Sequence, residues 1–363
     1  MNKIVIIGVL CSILLSFLPL ISASDTNSTI YVDDDGEADV RTIQEALDIA
    51  KHGDTIFVYS GMYEECNLII NTSITVQGEN PTTTSIQGDG SHSILRIYAN
   101  QVNISGFTLT NGGDMMDACI SILANDCLLT QNIIDNCNNM GISLHNSSSN
   151  IIQNNIISNC SSAAIRFFQN NTKNFISNNS IKNNLGPGVY CERSHENTIV
   201  NNTFKMNIEG IQIHNSDRNM ISQNTVDESL IGIYLFQSSH QLIQKNKIFN
   251  CSDGIYIEES NENVIHLNHI RQNQQGIIIS YASDNLIQQN NLIKNTEQAK
   301  FTTWLSPDGL PLSRWDENYW DDAVLFFPKI IPGILFIPTN EGIGVFIPWV
   351  LIDWHPASNL YEI

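Results

Sequence analysis

Apolar and polar residues follow one another along this chain in a lattice with a period of 22 to 24 residues. Gly141, Ala164, Gly188, Gly210, Gly232, Gly254 and Gly276 align with spacings of 23, 24, 22, 22, 22 and 22. On the same register runs a column of isoleucine (Ile152, Ile176, Ile199, Ile221, Ile243, Ile265, Ile287). A column of asparagine follows it (Asn155, Asn179, Asn202, Asn224, Asn246, Asn268, Asn290), and two residues later comes an apolar column from Ile157 to Leu292. The apolar residues alternate in short runs and are β-branched, which excludes a helix pair. Leucine-rich repeats share the length but need a leucine lattice. A unit of this size with three short strands predicts an all-β fold, a right-handed parallel β-helix in which like residues stack about 4.8 Å apart.

The lattice also assigns roles. Stacked Asn side chains, with donors and an acceptor each, can bond up a ladder and satisfy the backbone of the turns. The Ile columns fill the interior. Less regular rungs upstream, such as Val102 to Asn111 and Leu128 to Asn136, bring the expected total to about eleven rungs, a rod of about 50 Å. Both open ends of a solenoid need caps. Val40, Ile43, Ala46, Leu47 and Ala50 recur at helical spacing before Gly53, which predicts an amphipathic N-terminal capping helix. The expected organisation is therefore a leader over 1–24, a strand and capping helix over 25–53, the β-helix over 54–295 and a Trp/Pro-rich cap over 296–363.

Charge narrows the function. The chain has 363 residues, 17 Lys+Arg against 37 Asp+Glu, and a net charge of −20. Nucleic-acid binding needs clustered cations and is excluded as a class; unaided binding of polyanionic glycans is disfavoured. Lys3, the apolar run from Ile4 to Ile21 and the small residues Ser22-Ala23-Ser24 read as a cleavable export signal, with an uncleaved membrane anchor as the alternative. The expected location is extracellular or at the cell surface, with membrane contact only through this segment. Beyond the signal seven cysteines remain, an odd number that does not read as a disulfide framework. Cys137 and Cys160 share one column and are expected as stacked free thiols.

The segment Tyr31 to Glu65 (YVDDDG…RTIQEALDIAKHGDTIFVYSGMYEE), followed by NLIINTSITVQGE, resembles the opening of extracellular right-handed β-helix proteins of the pectin-lyase-like superfamily. Repeats of the form GISL..SSSNIIQNNIIS are similar to the NosD-type β-helix. The tail RWDENYWDD (Arg314 to Asp322) with PWVLIDWHPA (Pro348 to Ala357) resembles the C-terminal region of archaeal surface members of that group. The resemblance covers nearly the whole chain beyond the signal. It implies the fold and leaves function open, because this fold hosts lyases, hydrolases, epimerases, adhesins and metal-insertion accessories.

Candidate chemistry lies on the strand led by the Gly column. Residues one and three after each Gly are apolar, so residues two and four face outward. The outward residues include Arg166, Phe168, Tyr190, Glu192, His214, Tyr234, Phe236, Tyr256 and Glu258. Phe168, Tyr190, Tyr234, Phe236, Tyr256 and Glu258 form a candidate carbohydrate-binding platform, where rings stack on sugars and polar groups bond hydroxyls. The same rings suit a protein partner or plain stacking along the sheet. For catalysis the constellation is Arg166, Tyr190, Glu192 and His214, in which a base and a cation would serve a lyase. Glu192 and Glu258 lie three rungs apart, too far for a glycosidase carboxylate pair. No Asp cluster suited to Ca²⁺ lies on that face. NosD resemblance brings in copper, for which Met115, Met116 and Cys119 are one candidate cluster and His266 with His269 another. If 266–269 is a single strand, those two imidazoles point to opposite faces. In the tail, Trp315, Trp320 and Trp354 are expected to pack the last rung while Asp316, Glu317, Asp321, Asp322 and Asp353 face solvent.

Three functional classes follow: a non-catalytic exported binder of glycan or protein, a polysaccharide-processing enzyme working around Glu192 and His214, and a metallocentre accessory factor.

Overall fold

The computed structural model describes residues 27–114, 117–305, 312–324, 327–338 and 344–363. The expected export signal and two of the copper candidates, Met115 and Met116, lie outside the described residues. Nearly all the described residues coil into a right-handed β-helix with three sheets of 13, 12 and 13 strands, parallel except for the last strand of the third, one or two rungs more than the eleven expected. Each coil visits the sheets in turn, as Ile151–Gln153, Ile156–Ser158 and Ile165–Phe167 do. Each strand pairs in register with its counterpart one coil away, so Ile152, Ile176 and Ile199 lie one above another. Their side chains point inward and are fully buried, as are Ile157, Ile165 and the residues stacked on them. The core is thus a column of apolar layers, each closed above and below by the next.

Two corners of the coil repeat one device. A residue with positive φ, such as Asn154, Lys245 or Leu267, precedes a buried Asn. That backbone region is unfavourable for an L-residue. It persists because the amide it turns outward donates to the next coil, as Asn154 does to Ser177 O at 3.2 Å. The Asn then locks the turn. Asn224 Nδ2 donates to Ile199 O at 2.9 Å and to Asn246 Oδ1 at 3.1 Å, and Asn224 Oδ1 accepts from the Asn202 amide at 2.9 Å. A second ladder, which the sequence reading did not single out, runs through Asn150, Asn174, Asn197, Asn219, Gln241, Asn263 and Asn285. The Gly column marks where neighbouring backbones meet most closely: a Cβ on Gly232 would stand 2.4 Å from Gly254 O.

The N-terminal strand Thr29–Val32 starts the first sheet, and α1 (Ile43–Ile49) closes the core beneath it with Ile43 and Ala46 buried. Thr42 and Glu45 form a reciprocal cap on its first turn. At the other end the coil does not stop at Asn295. Strands Glu297–Trp304, Arg314–Asp316 and Tyr319–Trp320 add one more turn, stretched to 28 residues between Asn290 and Asn318. An antiparallel hairpin, Lys329–Ile337 with Val345–Asp353, then continues the third sheet. Trp315 and Trp320 pack in the final layer as expected, whereas Trp354 is exposed. Asp353 is a correction: it is fully buried rather than solvated. Its Oδ2 accepts from Asn318 N, Asn318 Nδ2 and Trp320 Nε1 and so ends the first Asn ladder with a carboxylate.

Candidate functional site

The third sheet carries the outward residues in two adjacent columns. Pairing places Ser143, Arg166, Tyr190, Gln212, Tyr234, Tyr256 and Ile278 in one column, and Glu192, His214, Phe236, Glu258 and Ser280 in the next. Side chains link along and across the rungs. Arg166 donates to Glu192 at 3.0 Å and lies over the rings of Phe168 and Tyr190, 4.3 and 4.9 Å from their centroids. The Tyr190 hydroxyl sits 3.1 Å from His214 Nδ1, and His214 packs on Phe236 with centroids 4.9 Å apart. Tyr234 stacks on Tyr256 at 5.2 Å and donates a short hydrogen bond to Glu258. Upstream, His145 stacks on Phe168 at 4.3 Å. All four residues of the catalytic constellation and all six of the platform are therefore brought together on one face.

The face is not an open shelf of rings. The residues from Arg166 to Glu258 are half-buried, and Ser143 and Ile278 are covered altogether. In-register stacking turns several ring faces along the rod axis, toward each other, and leaves edges and polar tips outward. Burial shapes the electrostatics. It raises the Tyr190 phenol above its ordinary value, and the Glu192 charge adds to the rise. Tyr234 is pushed up by burial and by its bond to Glu258. His145 is held below the ordinary imidazole range by burial and then by the Arg166 charge. Beside the aromatic column runs a third, in which Glu209 and Asp253 are two rungs apart, separated by Ile231. Burial raises both carboxyls. The sequence reading missed them, although both stand one residue before the Gly column.

Two of the sequence's metal candidates, Cys119 and the His266/His269 pair, sit differently from the expectation. Cys119, proposed as a copper ligand, is bonded to Cys137 in a disulfide, which leaves no thiolate there. The expected stacking of free Cys137 and Cys160 thiols is corrected by the same bond: Cys160 alone is free and buried. His266 ends strand Val264–His266 of the first sheet, and His269 opens strand His269–Arg271 of the second. Leu267, with φ of 53°, turns the chain between them, so 266–269 is not one strand and the opposite-face condition does not apply to this pair.

Over residues 167–324 the chain matches the family model described as periplasmic copper-binding protein (NosD), and over residues 24–230 the model for the right handed beta helix region. No curated protein matches its sequence. The A-module of Azotobacter vinelandii mannuronan C-5 epimerase AlgE6 is similar in structure, with 14% identity, a TM-score of 0.65, and 76% of this chain and 88% of that one covered. The PL6 family alginate lyase AlyGC aligns at 14% identity and a TM-score of 0.60, over 87% of this chain and 55% of that one. The Dettilon tailspike protein aligns at 14% identity and a TM-score of 0.59, over 86% and 74%. At such identities the likeness concerns the fold. For the copper of the first family's description, the cluster around Cys119 does not fit, since its sulfur is already bonded. Coil period, sheet topology and a family match over more than half of the chain agree: it belongs to the right-handed parallel β-helix proteins, and residues 167–324 within it resemble the NosD family.

Proposed function

We propose that this is an exported, non-catalytic β-helix rod that binds a neutral glycan along the outward face of its third sheet. The carrying observation is the continuous run of half-buried aromatic and polar side chains from Phe168 through Tyr190, Tyr234, Phe236 and Tyr256 to Glu258. A sugar chain laid across the rungs would meet ring edges and be bonded by the phenol, carboxylate and amide tips. A net charge of −20 favours an uncharged chain over a uronate polymer. Export is supported by the periplasmic family match and by the apolar leader in the sequence.

Catalysis around Arg166, Tyr190, Glu192 and His214 is the second reading. The Tyr190–His214 contact and the folds of an epimerase and a lyase favour it. Two features weigh against turnover. A phenol whose proton is held more tightly than usual is less often ionised and so less available to take a proton, and the guanidinium that would face a substrate carboxylate is already paired with Glu192. The test is binding to a glycan array followed by product analysis of each hit. Tyr190→Ala and Tyr234→Ala should each weaken retention about ten-fold, roughly the loss of one ring-edge contact together with its hydroxyl bond, with no shortened or epimerised product from the unaltered protein. Product that disappears in Glu192→Gln would replace this reading with the catalytic one.

A further inference from the structure

Away from the aromatic face, near the N-terminal end of the rod, three side chains of different donor type converge. Cys66 lies in the turn before strand Leu68–Ile70, while Asp89 and His92 lie in the loop after strand Thr84–Gln87. Sulfur, carboxylate oxygen and ring nitrogen are all within 4.8 Å of one another. Asp89 Oδ2 and His92 Nδ1 are 2.7 Å apart.

Neighbouring coils hold the two segments in place. Asp89 Oδ1 accepts from the Ser91 and His92 amides at 2.9 and 3.0 Å, which leaves Oδ2 free to face the other donors. The loop backbone is anchored by Gly90 N to Asn111 O, Asn138 Nδ2 to Gly90 O and Gly113 N to His92 O, at 2.8 to 3.0 Å. Asn67 N to Ser93 O, at 2.7 Å, ties the Cys66 turn to the same loop. Cys66 also differs from the other free cysteines among the described residues. Cys127, Cys160, Cys191 and Cys251 are buried core residues, whereas Cys66 reaches solvent.

We propose that Cys66, Asp89 and His92 form a binding site for a borderline divalent transition-metal ion of the zinc class. A thiolate, an imidazole and a carboxylate are the donors that Zn²⁺ accepts, and three of them leave a fourth tetrahedral position for water or a partner's ligand. Tetrahedral bonds of about 2.0–2.3 Å put ligand atoms about 3.3–3.7 Å apart, inside the 4.8 Å that contains all three donors, so side-chain rotation suffices. Cu²⁺ would compete for the same donors. The site is distinct from the cluster around Cys119 and does not rest on glycan binding.

The experiment loads the metal-free full chain, its Cys119–Cys137 disulfide intact, with Zn²⁺ and measures stoichiometry and affinity by equilibrium dialysis. Co²⁺ loading then reports the thiolate through its charge-transfer absorption. One ion per chain is expected. Binding should weaken at least ten-fold in each of Cys66→Ser, Asp89→Asn and His92→Ala, and the Co²⁺ band should vanish in Cys66→Ser. The metal-free variants should keep the parent's unfolding transition, since all three side chains reach solvent. Absence of stoichiometric uptake would overturn the proposal. So would uptake that survives all three substitutions, as capture by the acidic run Asp33–Asp35 would.

Discussion

Glu209 shows how a single position on a repeating lattice departs from its column. Its counterpart one rung on is Ile231, so the carboxylate sits beside an apolar residue and burial lifts its pKa. A carboxyl whose folded pKa lies above its unfolded one binds protons more readily in the native state. It therefore lowers stability at neutral pH, and this cost vanishes once the pH falls below both values. Glu209→Gln should raise the urea midpoint at pH 7 and leave it unchanged near pH 3. An equal shift at both pH values would mean that packing, not charge, is responsible. The column of Glu209 was invisible in the sequence because its residue types do not repeat, while the Asn155 column was legible from seven identical residues spaced 22 to 24 apart.

At the scale of the coil, the Asn ladders make each turn depend on its neighbours. Replacing Asn224 by Ala would strip the acceptor from two donors of Asn202 and the donor from Ile199 O, all buried. Unsatisfied buried groups cost about 1–3 kcal/mol each, partly relieved by relaxation, so Asn224→Ala should lose about 2–4 kcal/mol in chemical unfolding. Asp is the informative control: it keeps the acceptor for Asn202 but sets a buried carboxylate against two acceptors, so its loss should grow as the pH rises through the carboxyl range. The strands themselves were readable from alternation, down to which residues face outward. The two-strand course through His266 and His269 was not, because the turn between them is a Leu267-Asn268 corner without glycine or proline. Asn, Gln, Lys and Leu all take the left-handed conformation at this corner, each amide bonding to the next coil.

For the molecule as a whole, the ends decide whether the column of layers stays closed. The C-terminal end is sealed by Trp315 and Trp320 under the hairpin Lys329–Ile337 and Val345–Asp353, with Asp353 capping the ladder. Asp353→Ala would leave Asn318 N, Asn318 Nδ2 and Trp320 Nε1 without their acceptor. It should cost about 3 kcal/mol. Because a solenoid is stabilised by nearest neighbours, the loss should be local at first. Hydrogen exchange should accelerate in strands Arg314–Asp316 and Tyr319–Trp320 before the central rungs, and uniform acceleration would contradict this end-first opening.

What the sequence determined by itself is whatever repeats. Period, strand alternation, inward Ile, the first Asn column and the outward aromatic residues follow from one unit stacked on its copies, so reading one coil reads them all. What only the tertiary structure decided lies off that period. Cys119 and Cys137 are 18 residues apart, out of phase with any column, and meet because one coil's strand faces the next coil's corner. Cys66, Asp89 and His92 come from two irregular loops that the coil brings side by side. Asp353 reaches Asn318 across 35 residues because the hairpin folds back over the end of the rod. A repeat carries its own register, but a contact between unlike segments is set only when the chain has closed around its core.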